Sequence, residues 1–250
     1  MQYKGGKGAS GVHQQIINKM PKHKVYIETH LGGGNILLRK KPAECTIAIE
    51  IDTAVIKKFK RYSIVKNTDS TNIPPCSTCK YDGEISFVNE DCIKFLQSYN
   101  FTGDELIYVD PPYMFDTRKN KSKLYKYEYD TKDHIKLLEV LNSIKCFIMI
   151  SGYQSDLYSE MLKKDKWHLF TFNAMTRAGV RTECLWCNFN PDDYIKHDYS
   201  YIGSNFRERE RIKRKSNRWI NNLNKLPQDE RNFILSSIAK NFRLEVCYHL

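Results

Sequence analysis

Residues Asp104–Lys121 read DELIYVDPPYMFDTRKNK, and the first half of this stretch decides the fold. The apolar run Leu106–Val109 stops at Asp110, Pro111, Pro112 and Tyr113. Proline cannot donate to a sheet ladder, so a buried strand ends here and a stiff turn follows. Short apolar runs closed by acids or glycines recur upstream. KVYI (Lys24–Ile27) enters ETHLGGGNILL, a glycine cluster with a short helix expected after it. TIAIEID (Thr46–Asp52) ends in acids, and ISFVN (Ile85–Asn89) precedes Asp91.

Helical patterns separate these runs. Ser10 is placed to cap a helix carrying Val12, Ile16, Ile17 and Met20. AVIKKFKRY follows the second strand, CIKFLQSY follows the third, and Thr131 is placed to cap a helix with Ile135, Leu138 and Leu141. CFIMIS, SDLYSEMLKK and the pair WHLFTFN and ECLWCNF complete the pattern, the pair flanking AMTRAGVRT as a terminal antiparallel hairpin. Strands alternating with helices of this length predict an α/β fold, a mostly parallel seven-stranded sheet covered on both faces. From Gly203 the texture becomes basic and helical. Ile212, Trp219, Ile220, Leu223 and Leu226 recur near helical spacing, and Pro227 opens a second helix with Asp229 and Glu230 in its first turn. Two domains are expected, 1–202 and a C-terminal helical hairpin at 203–250, with a short insertion near 53–84 and a mobile loop at 114–130.

The chain has 40 Lys and Arg against 29 Asp and Glu, a net charge of +11. That excess points to a polyanionic partner, nucleic acid first. No apolar run is long enough for a signal peptide or a membrane span, and the eight scattered cysteines read as reduced intracellular thiols. A cytoplasmic location is expected.

In an open parallel sheet, ligands bind at the carboxyl ends of the strands. Four features fall there: Glu28 through Gly34, Glu50 with Asp52, Asp91, and Asp110. Glycines let a backbone approach a ligand closely. An acid roughly 20 residues past a glycine loop is placed to accept from ribose hydroxyls. No G-x-x-x-x-G-K-[ST] cradle is present, and strand-end acids would repel a pyrophosphate. A nucleoside without phosphates fits better, which favours S-adenosylmethionine over NAD or ATP.

YKGGKG near the N-terminus, YIETHLGGG, IEID, VNED and YVDPPY occur in the order that resembles the Dam-type DNA adenine N6-methyltransferases. FIMISGY and TRAGVRTECLWCNF look like that family's remaining strands, so the resemblance spans roughly residues 1–190. It implies a Rossmann-like S-adenosylmethionine-dependent methyltransferase fold. By resemblance, Tyr3 and Lys7 would help hold the methionine end of the cofactor or the target base. Glu28, Gly32 and Gly34 would form the cofactor loop, Asp52 would bind ribose, and Asp91 with Cys92 beside it would meet the cofactor's adenine. Asp110, Pro111, Pro112 and Tyr113 would hold a flipped target adenine. Asp110 and the Pro111 carbonyl would accept from its amine while the Tyr113 ring stacks on the base. Thr29 and His30 stand where the family usually has Pro and Phe, and Cys92 stands where an aromatic is common.

The expected activity is site-specific methylation of adenine in double-stranded DNA. Alternatives are a cytosine N4 or RNA adenine methyltransferase of the same fold, or a catalytically weakened DNA-binding homologue. DNA contact is expected from Arg118, Lys119 and Lys121, and from the cluster Arg207, Arg211, Lys213, Arg214, Lys215 and Arg218. The same cluster also reads as a solvated helix face pairing with Glu208 and Glu210. The resemblance makes a cognate restriction endonuclease a candidate partner, in a bacterial or phage-encoded context. No metal is expected. Cys76, Cys79, Cys184 and Cys187 have the inventory of a zinc site, but the last two fall in one strand and face opposite ways. Ile73–Cys76 (IPPC) resembles a Pro-Cys nucleophile, yet it follows a polar segment instead of a buried strand.

Overall fold

The computed structural model describes residues 7–8, 11–64, 84–118, 125–176 and 179–242. The chain divides into two compact units, Met1–Tyr201 and Ile202–Leu250.

In the first unit the strands are β1 (Val25–Thr29), β2 (Cys45–Ile49), β3 (Glu84–Val88), β4 (Glu105–Val109), β5 (Phe147–Gly152), β6 (His168–Thr176) and β7 (Gly179–Cys187). They form one sheet in the order β3-β2-β1-β4-β5-β7-β6. β1 to β5 run parallel, and β7 returns antiparallel between β5 and β6. The strand order reverses between β1 and β4, and such a switch point opens a crevice at the carboxyl ends. The register makes those ends level. Thr29 pairs with both Ile49 and Val109, and Ile49 pairs with Val88.

The helices of this unit are α1 (Val12–Ile17), α2 (Thr53–Ile64), α3 (Cys92–Ser98), α4 (Thr131–Ser143) and α5 (Asp156–Met161). The period-2 alternation of the strands sorts two cores. Tyr26, Leu106, Tyr108, Met149 and Leu185 pack with α1 and α2. Ile27, Ile107, Val109, Ile148, Ile150 and Trp186 pack with α3, α4 and α5. All of β4 is buried, as a central strand covered on both faces must be.

Four local expectations change. α1 is capped by Gly11 at φ 90°, not by Ser10. α4 is capped by Asp130, because Asp130 and Asp133 exchange reciprocal side-chain bonds to each other's backbone N–H and leave Thr131 inside the helix. The glycine cluster leads into turns instead of a regular helix, with bonds of α-helical spacing from Leu38 N to Gly34 O and Lys40 N to Ile36 O beside tighter ones from Gly34 N to Leu31 O and Arg39 N to Ile36 O. The terminal hairpin is longer than expected, its pairing running out to Thr176 and Gly179.

The end of this unit is stitched to its beginning. His197 Nε2 donates to the carbonyls of Lys41 and Pro42 at 3.0 Å each, and its ring stacks on His23 at 3.9 Å. Asp198 accepts from Lys41 N at 3.3 Å, and the Tyr201 hydroxyl reaches Arg39 O at 3.3 Å.

The second unit holds α6 (Phe206–Asn224) and α7 (Gln228–Phe242), and no residue of either helix is buried. Asp229 and Glu230 occupy the first turn of α7. Among the described residues, no helix is long and apolar enough to cross a membrane.

Candidate active site

A cavity of about 440 Å³ lies at the carboxyl ends of β1 to β4, in the range typical of small-ligand sites. Its floor is the glycine turn. Glu50 pins that turn: its Oε2 accepts from Gly32 N at 2.9 Å and its Oε1 from Asp52 N at 3.0 Å. Both oxygens of Glu50 therefore serve backbone, which leaves Asp52 as the strand-two acid available at the cavity. Gly32 and Gly34 hold φ of 48° and 60°. A Cβ on Gly34 would also lie 2.7 Å from Phe59 Cζ, so the turn needs glycine there for conformation and for space.

Asp91 caps α3, its Oδ1 accepting from Ile93 N and Lys94 N, which leaves Oδ2 for a ligand. Cys92 follows as the first residue of α3. Glu28, Gly32, Gly34, Asp52, Asp91, Cys92, Asp110, Pro111 and Pro112 all line the cavity, together with Lys7. The fold thus gathers into one place the described residues assigned to the cofactor, and joins them to the DPP turn. Tyr3, Lys119, Lys121, Cys76, Cys79 and the segment around Ile73 lie outside the described residues.

The turn after β4 carries a charged network. Lys7 Nζ lies 2.9 Å from Asp110 Oδ1 and 3.7 Å from Glu183 Oε2, and it also bonds the Tyr113 hydroxyl. Tyr113 donates to Glu183 Oε2 at 2.7 Å, and Lys7 sits 4.5 Å from its ring centre. Tyr153 meets the same ring edge-on at 4.5 Å. Burial works against the charge on Lys7, but Asp110 and Glu183 outweigh it and raise its pKa. Burial raises Asp110 above the usual carboxylate range, with Lys7 opposing. Burial also pushes Glu28 up to about 8, against the hydrogen bond it accepts from Tyr26 at 2.8 Å. Lys7 is thus engaged by the turn itself, where the sequence placed it only near the cofactor or the base.

Arg118 requires a correction. The sequence assigns it to DNA contact, but it is buried and pairs through both terminal nitrogens with Glu128. Its Nε donates to Tyr113 O at 2.8 Å. A guanidinium committed in this way braces the turn and cannot also neutralise a phosphate.

Several site residues escape a reading of the sequence alone. Glu183 sits inside β7, directly before the apolar residues Cys184–Cys187, and a buried acid at that edge is the available signal. His30, Tyr125, Glu128 and Tyr129 also line the cavity. His30 is the one non-glycine with positive φ among the described residues, at 56°. Its Nδ1 contacts Thr29 Oγ1 at 3.0 Å, and its Nε2 lies 3.1 Å from Tyr129 Oη and 3.4 Å from Cys92 Sγ. The departures Thr29, His30 and Cys92 are therefore one bonded set.

In the second unit, Arg207, Arg211, Arg214 and Arg218 recur three or four residues apart and share one exposed side of α6, with Lys215 flanking. Lys213 lies on another side of the helix. Arg211 also approaches Glu208 at 3.7 Å. Cys184 and Cys187 fall in the two different cores on opposite faces of β7.

Comparison with known proteins adds a family match. The family model described as D12 class N6 adenine-specific DNA methyltransferase matches residues 57–182. No curated protein matches the chain. Among solved structures, an rRNA methylase from Streptococcus thermophilus aligns at 9% identity and TM-score 0.42, over 70% of this chain and 93% of that one. A dimethyladenosine transferase from Plasmodium falciparum aligns at 13% identity and TM-score 0.42, over 70% and 59%.

Proposed function

We infer, from the premise that the chain belongs to the D12 class N6 adenine-specific DNA methyltransferase family, that it methylates the exocyclic amine of adenine in double-stranded DNA. Membership makes it a methyltransferase and implies S-adenosylmethionine as methyl donor; the choice of DNA and of adenine is our reading. When bound, S-adenosylmethionine supplies an electrophilic methyl group on its sulfonium.

The cavity suits that group. Asp52 and Asp91 are acceptors set for hydroxyl and amine donors, and the glycine turn leaves room beside them. These carboxylates would repel a pyrophosphate, so a nucleoside without phosphates is the better fit.

Asp110 is the observation that carries the reading. It stands at the switch point, on the same cavity as the glycine turn, in a turn stiffened by two prolines. Adenine's amine is a poor nucleophile because its lone pair is delocalised into the ring. Asp110 Oδ2 and the Pro111 carbonyl would accept from that amine, orienting it and favouring a tetrahedral nitrogen. Lys7 on Oδ1 opposes the upward pull of burial on this carboxyl. The Tyr113 ring, tied at its hydroxyl by Glu183, would stack on the extruded base. Orientation and electrostatics, with no covalent intermediate, would supply the rate.

The test is transfer of a labelled methyl group to DNA, followed by nucleoside analysis. N6-methyladenine is expected. Product at cytosine, or transfer to RNA alone, overturns the assignment. Asp110→Ala is expected to lower turnover by roughly 100-fold or more while S-adenosylmethionine still binds. An active Asp110→Ala protein would sink the mechanism.

A further inference from the structure

Residues 125–130 close the stretch expected from the sequence as a mobile loop at 114–130. Tyr125 through Tyr129 line the cavity beside Asp52, Asp91 and Cys92. Three anchors hold this segment, one to Arg118 outside the cavity and two to residues of the cavity wall.

The first anchor is at Glu128. Its carboxylate takes both terminal nitrogens of Arg118 and also accepts from Tyr125 N at 2.8 Å. Arg118 and Glu128 side chains are only 4% and 10% exposed, so this bidentate pair is shielded from water. The second anchor is Tyr129, whose hydroxyl lies 3.1 Å from His30 Nε2 and 3.2 Å from Cys92 Sγ. It bonds the turn after β1 to the start of α3. The reciprocal Asp130 and Asp133 cap then fixes where the segment enters α4. The third anchor differs in kind. Lys126 Nζ sits 3.2 Å from Asp52 Oδ1, and the lysine side chain is 65% exposed. An exposed pair of this sort is weak and is screened by salt.

We propose that residues 125–130 are a strap across the cofactor cavity, fixed at Glu128 and Tyr129 and releasable at Lys126. This rests on the reading that the cavity takes S-adenosylmethionine. Asp52 is the carboxylate set to accept from the ribose hydroxyls; its Oδ1 already accepts from Ala54 N at 3.0 Å as well as from Lys126, so a ribose that takes both oxygens must displace Lys126. Lys126 and the ribose therefore compete for Asp52, while Tyr129, through His30 and Cys92, positions the wall that retains the bound nucleoside. Thr29, His30 and Cys92 replace the proline and aromatic side chains usual in the family with a hydrogen-bonded set that reaches the strap.

The test is stopped-flow binding and dissociation of S-adenosylmethionine with the full chain, comparing wild type, Lys126→Ala and Tyr129→Phe. Tyr129→Phe removes one hydroxyl and keeps the ring, and it is expected to release the cofactor roughly fivefold faster. Lys126→Ala is expected to bind it up to about fivefold more tightly, because the competitor is gone. Wild-type affinity should rise with moderate salt as the Lys126–Asp52 pair is screened, and Lys126→Ala should lose that rise. Weaker binding by Lys126→Ala, or unchanged release from Tyr129→Phe, overturns the strap. Failure of the wild-type protein to bind S-adenosylmethionine would sink the cofactor reading itself, and the strap with it.

Discussion

Glu28 illustrates how one side chain can carry a pH signature. It is buried in β1 with Tyr26 as donor, and burial raises its pKa to about 8 from an ordinary 4.5. The folded protein keeps this proton where the unfolded chain has lost it. Its contribution to stability is fully present below about pH 4.5 and is lost as pH rises toward 8. Glu28→Gln cannot titrate. The stability of wild type relative to Glu28→Gln should therefore fall steadily from pH 5 to 8 in urea unfolding. A constant difference would mean Glu28 is ionised throughout. At this scale the sequence is legible where a residue's place follows from its own chemistry, as for Asp110 at the end of β4 and the glycines of the turn. It is not legible where the task depends on a distant partner. Arg118 looks like any loop arginine until Glu128 is seen to enclose it, and Glu50 looks solvated until the glycine turn folds onto it.

The elements are legible for a different reason. Strands announce themselves by apolar runs and turn chemistry, and helices by their period, so the alternation survives small errors at the ends. The ends themselves turn on competition between neighbouring caps. Asp130 wins over Thr131 because Asp133 completes a reciprocal pair that Thr131 cannot form. The helix α6 carries its proposal in the same periodic language. Arg207, Arg211, Arg214 and Arg218 make a single basic stripe, the form that binding along a phosphate backbone requires. Replacing all four with Gln should weaken DNA binding without regard to sequence. It should also lower the slope of log affinity against log salt by roughly 0.9 for each phosphate no longer neutralised. An unchanged slope would return the stripe to the role of a solvated face.

For the whole molecule, the interior histidines set the acid limit. Burial lowers His30 to about 3, His134 and His197 to about 4, and His23 well below its ordinary value. The unfolded chain takes up these protons near pH 6.5 and the folded protein does not, so stability falls as pH drops from about 6.5 to 4. Each histidine contributes up to about 1.4 kcal/mol per pH unit, against the opposing effect of Glu28. Thermal midpoints should therefore drop on moving from pH 7 to pH 5, and a flat profile would show that these imidazoles are accessible to protons in the fold. None of this is visible in the sequence, where burial of a histidine cannot be read from its neighbours in the chain.

The stitching of residues 197–201 onto residues 39–42 has a consequence for biosynthesis. The connection between β1 and β2 is translated early, yet the side chains that bond its residues 39–42 come from residues made some 155 positions later. The catalytic unit can therefore reach its final packing only after its last residues have left the ribosome. The trailing segment from Ile202 onward is synthesised after that point.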